Sequence, residues 1–120
     1  MRLVASAEFA AALFLAAPAF ATGGFTCRPV SGAGPVLTLA VGHTAVASVI
    51  SAGLSDSRAR LTVGQSWIDW RYLWLDLVDA NAVRVEARLR AVFQPKLRGR
   101  PAIGTLVRGG RTYRVRCDES

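Results

Sequence analysis

The chain has 120 residues, 52% of them hydrophobic, with a formal net charge of +7 and a sequence pI of about 11.0. That length suits one ordinary domain, and the apolar content is too high for a disordered polar tail. Two cysteines and a single distant histidine give no metal-ligand cluster, and no glycine loop carries the lysine that cradles a nucleotide phosphate, so neither metal nor cofactor is expected.

The first element reads as an export signal. Arg2 precedes the alanine-rich run "FAAALFLAAPAFA", and Ala19-Phe20-Ala21 has the small-x-small pattern of a cleavage site. The run from Phe9 to Phe20 is short for a bilayer span, and no cysteine stands at the cleavage site to carry a lipid. The expected division is a cleaved signal over 1–21 and a single β domain over 22–120. An exported chain with two cysteines, Cys27 and Cys117, predicts a disulfide between them.

Phe25 and Cys27 share one face of a short first strand. "PVLTLAVG" alternates Val36, Thr38 and Ala40 with Leu37, Leu39 and Val41, apolar enough on both faces for a buried strand. "TAVASVISAGLS" fits a helix through Val46, Val49, Ile50, Gly53 and Leu54, but its β-branched content favours a strand. "RARLTVG" is another short strand. Loops are expected at 31–34, 55–57, 64–66 and 94–101, the last stiffened by Pro95 and Pro101.

"WIDWRYLWLDLV" has two periods at once. Trp67, Trp70, Trp74, Leu77 and Val78 recur at helical spacing, while Leu73, Leu75 and Leu77 alternate at strand spacing. The following segment decides for strands: Val83, Val85, Ala87 and Leu89 alternate with Arg84, Glu86, Arg88 and Arg90. A loop at Asp79, Ala80 and Asn81 would pair Leu75 with Val85 and Leu73 with Ala87 on the inner face. On the outer face it would pair Asp76 with Arg84, Trp74 with Glu86 and Tyr72 with Arg88, leaving Asp76 in an exposed ion pair. In the closing hairpin, Gly109-Gly110 suits a two-residue turn with both φ positive. Leu106 then faces Tyr113 and Ala102 faces Cys117, with the bridge inside. The expected fold is an all-β antiparallel meander of seven to eight strands, closed or nearly closed into a barrel, its first and last strands joined by the disulfide; a two-sheet sandwich is the other arrangement.

Chemistry is sparse. His43 stands in sequence beside neither an acid nor a nucleophile, and no serine lies in a nucleophile-elbow pattern, so no catalytic residue is assigned. The seven carboxylates beyond residue 21 offer no evident glycosidase pair. Between Arg84 and Arg116, nine arginines and Lys96 face a single acid, Glu86. Such a field attracts anions, although the 13 arginines to one lysine beyond residue 21 also match what high-GC coding produces. At least one of the three tryptophans is expected in the core. A candidate binding face is Trp70, Tyr72, Trp74, Arg84, Arg88 and Arg90, an aromatic stripe beside a basic one.

A small exported β domain with its ends stapled resembles, in architecture alone, the periplasmic inhibitors of c-type lysozyme. Their serine-glycine inhibitory loop has no counterpart at the matching place, "SGAGP" lying too early, so no residue role carries over. The expected function is a non-enzymatic binding or accessory module of the cell envelope, in the periplasm or secreted. Its partner would be an anionic envelope polymer or a protein rather than nucleic acid, with no transmembrane segment in the mature chain. The alternatives are a secreted hydrolase inhibitor presenting a loop such as 94–101, and a small hydrolase using His43.

Overall fold

A computed structural model describes residues 23–43 and 47–120. The expected signal over 1–21, and Thr22, the expected start of the mature chain, lie outside them. Eight strands follow one another: β1 (Gly24–Pro29), β2 (Leu37–His43), β3 (Ala47–Leu54), β4 (Thr62–Ile68), β5 (Tyr72–Val78), β6 (Val85–Phe93), β7 (Ala102–Arg108) and β8 (Arg111–Glu119). They form a single antiparallel sheet in the order β3-β2-β1-β8-β7-β6-β5-β4, curled into a nearly closed barrel. One sheet rules out the sandwich. Strands β3 and β4 are its two ends, so the remaining gap lies between elements that are consecutive in the chain.

The inner wall follows from period two. Leu37, Leu39 and Val41 of β2, Leu73, Leu75 and Leu77 of β5, and Ala87, Leu89 and Ala91 of β6 are all buried, with Ala102, Leu106 and Val115 from the last hairpin. Cross-strand pairing stacks them in rows. Leu75, Leu89, Leu106 and Tyr113 run across four strands, and the next row is Leu73, Ala91, Gly104 and Val115. The two small residues, Ala91 and Gly104, stand side by side in that second row, where the strands approach closely. A methyl group added at Gly104 would run into the Arg90 carbonyl.

The seam between the first and last strands is covalent. Cys27 and Cys117 are direct cross-strand partners, with Cα atoms 3.9 Å apart, and both are fully buried. Arg108 closes one end of the barrel, where its guanidinium meets Glu86 at 3.1 Å and Asp56 of the β3–β4 loop at 3.4 Å. Phe25 and Phe93 pack at the other end, their ring centroids 5.7 Å apart.

The last hairpin has the expected register, with Gly109 and Gly110 at φ 60° and 77°. The segment from 47 to 54 is a strand, as its β-branched content suggested. Three expectations need correction. First, β4 runs from 62 to 68, so 64–66 is strand rather than loop. Gly64 is the extra residue of a bulge, since Val63 pairs with Leu77 and Gln65 with Asp76. Second, the loop between β5 and β6 spans 79–84 rather than 79–81. Its carrier is Asp79, whose Oδ1 accepts from the Val83 amide at 2.8 Å while its backbone bonds Ala82 and Arg84. Third, that longer loop, with a bulge at Glu86, moves the β5–β6 register by four residues. Asp76 pairs with Arg88, Leu75 with Leu89, Trp74 with Arg90 and Tyr72 with Val92. Val83 and Val85, expected inside, are 76% and 50% exposed. From Ala87 onwards the even shift leaves each side chain on its original face, so the buried row stays aliphatic, whereas before the bulge Val85 pairs with Val78 of the outer wall.

Candidate functional site

The outer wall of β4, β5 and β6 brings together most of the chemistry. Its local organiser is Asp69, in the turn between β4 and β5. One carboxylate oxygen accepts from the amides of Arg71 and Tyr72 at 2.8 and 2.7 Å, and the other accepts from Trp67 Nε1 at 2.9 Å. The Tyr72 amide, the Trp67 indole and then the Arg71 amide hold the Asp69 carboxyl below its ordinary pKa. This turn folds β4 back on β5 and makes Trp67 and Trp74 direct cross-strand partners.

At the centre sits Asp76, only 6% exposed although it belongs to the outer face. Arg88 grips it with two parallel bonds, Nε to Oδ1 at 3.0 Å and Nη2 to Oδ2 at 3.2 Å. Arg90 adds a third, Nη1 to Oδ1 at 3.0 Å. Burial alone would push the Asp76 carboxyl up. The hydrogen bonds from Arg88 and Arg90, with their charges, outweigh it and hold the carboxyl below the usual range. The expected exposed pair with Arg84 is therefore corrected. Arg88 and Arg90 take the place expected for Arg84, which stands in the loop 3.5 Å from Glu86.

Aromatic rings flank this clamp. Tyr72 and Trp74 have centroids 5.0 Å apart, and the Arg90 guanidinium lies 5.3 Å from the Trp74 ring. Gln65, Ser66, Trp67, Trp74, Asp76 and Arg90 line an open groove of about 360 Å³. No tryptophan is buried: Trp67, Trp70 and Trp74 are 58%, 73% and 38% exposed. The expectation of a core tryptophan fails because leucines from both sides of the barrel already fill the interior.

Of the expected face, Tyr72, Trp74, Arg88 and Arg90 come together. Trp70 does not join them. It stands in the β4–β5 turn, under Arg71 at 4.8 Å, and borders a separate cleft with Phe25, Phe93 and Arg100 at the barrel end. Trp67 replaces it. Its signal in the sequence was Asp69, a turn-forming residue between two tryptophans, at positions able to pair across a tight hairpin. His43 ends β2 and pairs with Ala47, and four strands lie between β2 and β5 along the sheet. Loop 94–101 is built from consecutive turns, with Leu97 N–H bonded to Gln94 and Arg100 N–H to Leu97. Among the described residues, no three histidine, cysteine, aspartate or glutamate side chains are grouped to hold a metal ion. No family model, curated protein or solved structure matches the chain.

Acid should weaken the fold through Asp76. Its carboxyl titrates lower in the folded chain than in the unfolded one, so the unfolded state takes up its proton first. The stabilisation is intact above roughly pH 5 and drains away as pH falls through about 4 and then through the lower folded value. Asp76→Asn should flatten that limb and cost about 2 to 3 kcal/mol at neutral pH, in the range of charge-assisted bonds lost from a buried group. Denaturant melts of both proteins between pH 3 and pH 7 measure it. Parallel curves would assign the acid sensitivity elsewhere.

Proposed function

We propose that this protein is a non-enzymatic binding module of the cell envelope, working in the periplasm or outside the cell, with the outer wall of β4–β6 as its recognition surface. The observation that carries the reading is the placement of Trp67 and Trp74. Neither contributes to the core, and both stand beside a guanidinium clamp whose side chains are fixed by Asp76. Large exposed aromatics next to immobilised polar groups lose little conformational freedom on binding, which favours recognition.

The wider charge field fits the same role. Arg28, Arg114 and Arg116 share the outer face of β1 and β8, with Arg28 directly opposite Arg116. Among the described residues, neither Arg28 nor Arg114 has a carboxylate partner. This side steers anionic polymers towards the molecule, and the attraction falls with salt. The fully buried Cys27–Cys117 bridge suits an oxidising compartment.

Cosedimentation with purified envelope fragments tests the surface. Wild-type protein should pellet with them, and the double variant Trp67→Ala/Trp74→Ala should lose at least tenfold in affinity while melting at nearly the same temperature. Equal pelleting of the two proteins would overturn the choice of this wall.

A further inference from the structure

The two arginines of the clamp are used differently. Arg88 spends its Nε–Nη2 edge on Asp76, the side-on fork that matches a carboxylate. Arg90 touches Asp76 and the Leu89 carbonyl through Nη1 alone, at 3.0 and 2.8 Å. Among the described residues, its Nε and Nη2 have no partner. Arg90 lines the groove together with Trp67 and Trp74, and the clamp leaves its Nε–Nη2 edge unused. Two guanidinium charges against the single Asp76 carboxylate also leave the groove floor with one unit of positive charge in excess.

The geometry points to a pyranose unit bearing a single carboxylate, part of an acidic polysaccharide, as the occupant of this groove. The inference rests on the binding-module reading above and names its ligand class. A planar carboxylate fits the Arg90 Nε–Nη2 edge with two parallel hydrogen bonds. The apolar C–H face of a sugar ring suits the exposed indole of Trp67, whose own N–H is already committed to Asp69. Gln65, which shares the outer face with Trp67, supplies an amide group for ring hydroxyls. The volume of about 360 Å³ falls at the small end of ligand sites, roughly 300 to 1,000 Å³. The strand that carries Gln65 and Trp67, β4, is an end strand of the sheet.

The probes are tetragalacturonate and its methyl ester, which keeps the rings and removes the charge, titrated by calorimetry and by tryptophan fluorescence. Wild type should bind the acid at least tenfold more tightly than the ester. Arg90→Lys, which keeps the charge but loses the fork, should bind the acid at least tenfold more weakly while remaining folded at the titration temperature. Trp67→Ala, a change outside the core, should weaken it comparably. Equal affinity for acid and ester, both abolished by Trp67→Ala, would overturn the acidic-sugar assignment and leave the binding surface standing. No response to tetragalacturonate, or binding indifferent to Arg90→Lys and Trp67→Ala, would overturn the assignment outright. In the second case, loss of envelope-fragment binding in Trp67→Ala/Trp74→Ala still decides the broader reading separately.

Discussion

Replacing both bridge cysteines, as Cys27→Ala/Cys117→Ala, should lower the unfolding free energy by about 4 to 5 kcal/mol. The bridge links residues 90 positions apart, and the entropy of so large a loop in the unfolded chain is the main quantity it removes. Alanine is the right replacement because both sites are fully buried, where a serine hydroxyl would add a desolvation cost of its own. A domain of this size commonly has about 5 to 15 kcal/mol in total, so the variant should be close to its unfolding threshold at body temperature. Denaturant titration of the oxidised protein and the variant measures the difference. A loss below about 1 kcal/mol would mean that the barrel closes firmly without the covalent tie.

Leu75→Ala should cost about 2 to 5 kcal/mol. The side chain is 1% exposed, in the row that continues through Leu89 and Leu106 to Tyr113, and little around it can collapse into the space. The register supplies a control. Had Leu75 faced Val85, truncating that valine would open the same cavity. Val85 is instead 50% exposed, so Val85→Ala should stay within about 0.5 kcal/mol of wild type. Leu89→Ala should match Leu75→Ala. The reverse order, with Val85 costly and Leu89 cheap, would restore the shorter loop at Asp79, Ala80 and Asn81.

The same hairpin marks where the sequence stops being readable. Alternation identifies which residues of β5 and β6 face inward, and it did so for Leu73, Leu75, Leu77, Ala87 and Leu89 but not for Val83 and Val85, which precede the bulge. It cannot distinguish registers an even number of residues apart, because each gives the same two faces. Only the turn fixes the choice, and Gly109-Gly110 states its turn openly. The bonds from Asp79 to Val83 and Arg84 leave no such mark. Gly64 misleads in another way: a bulge glycine followed by Gln65 and Ser66 has the composition of a loop while belonging to a strand. For the candidate site, alternation places Tyr72, Trp74, Arg88 and Arg90 on one wall. The burial of Asp76 depends on where two arginine side chains bend, which pattern does not encode.

The gap between β3 and β4 has a bearing on how the molecule meets its own copies. Unpaired strand edges are templates for another chain, and an incomplete barrel has two of them. Here both belong to consecutive strands, tied by the seven residues 55–61, which can stretch no further than about 25 Å even when fully extended. Each edge is also interrupted by an extra residue, Ile50 in β3 and Gly64 in β4, which breaks the even spacing that an incoming strand would need. Arg58 and Arg60 place charge in the tether beside them. The sheet is left open at the one place where its two edges guard each other.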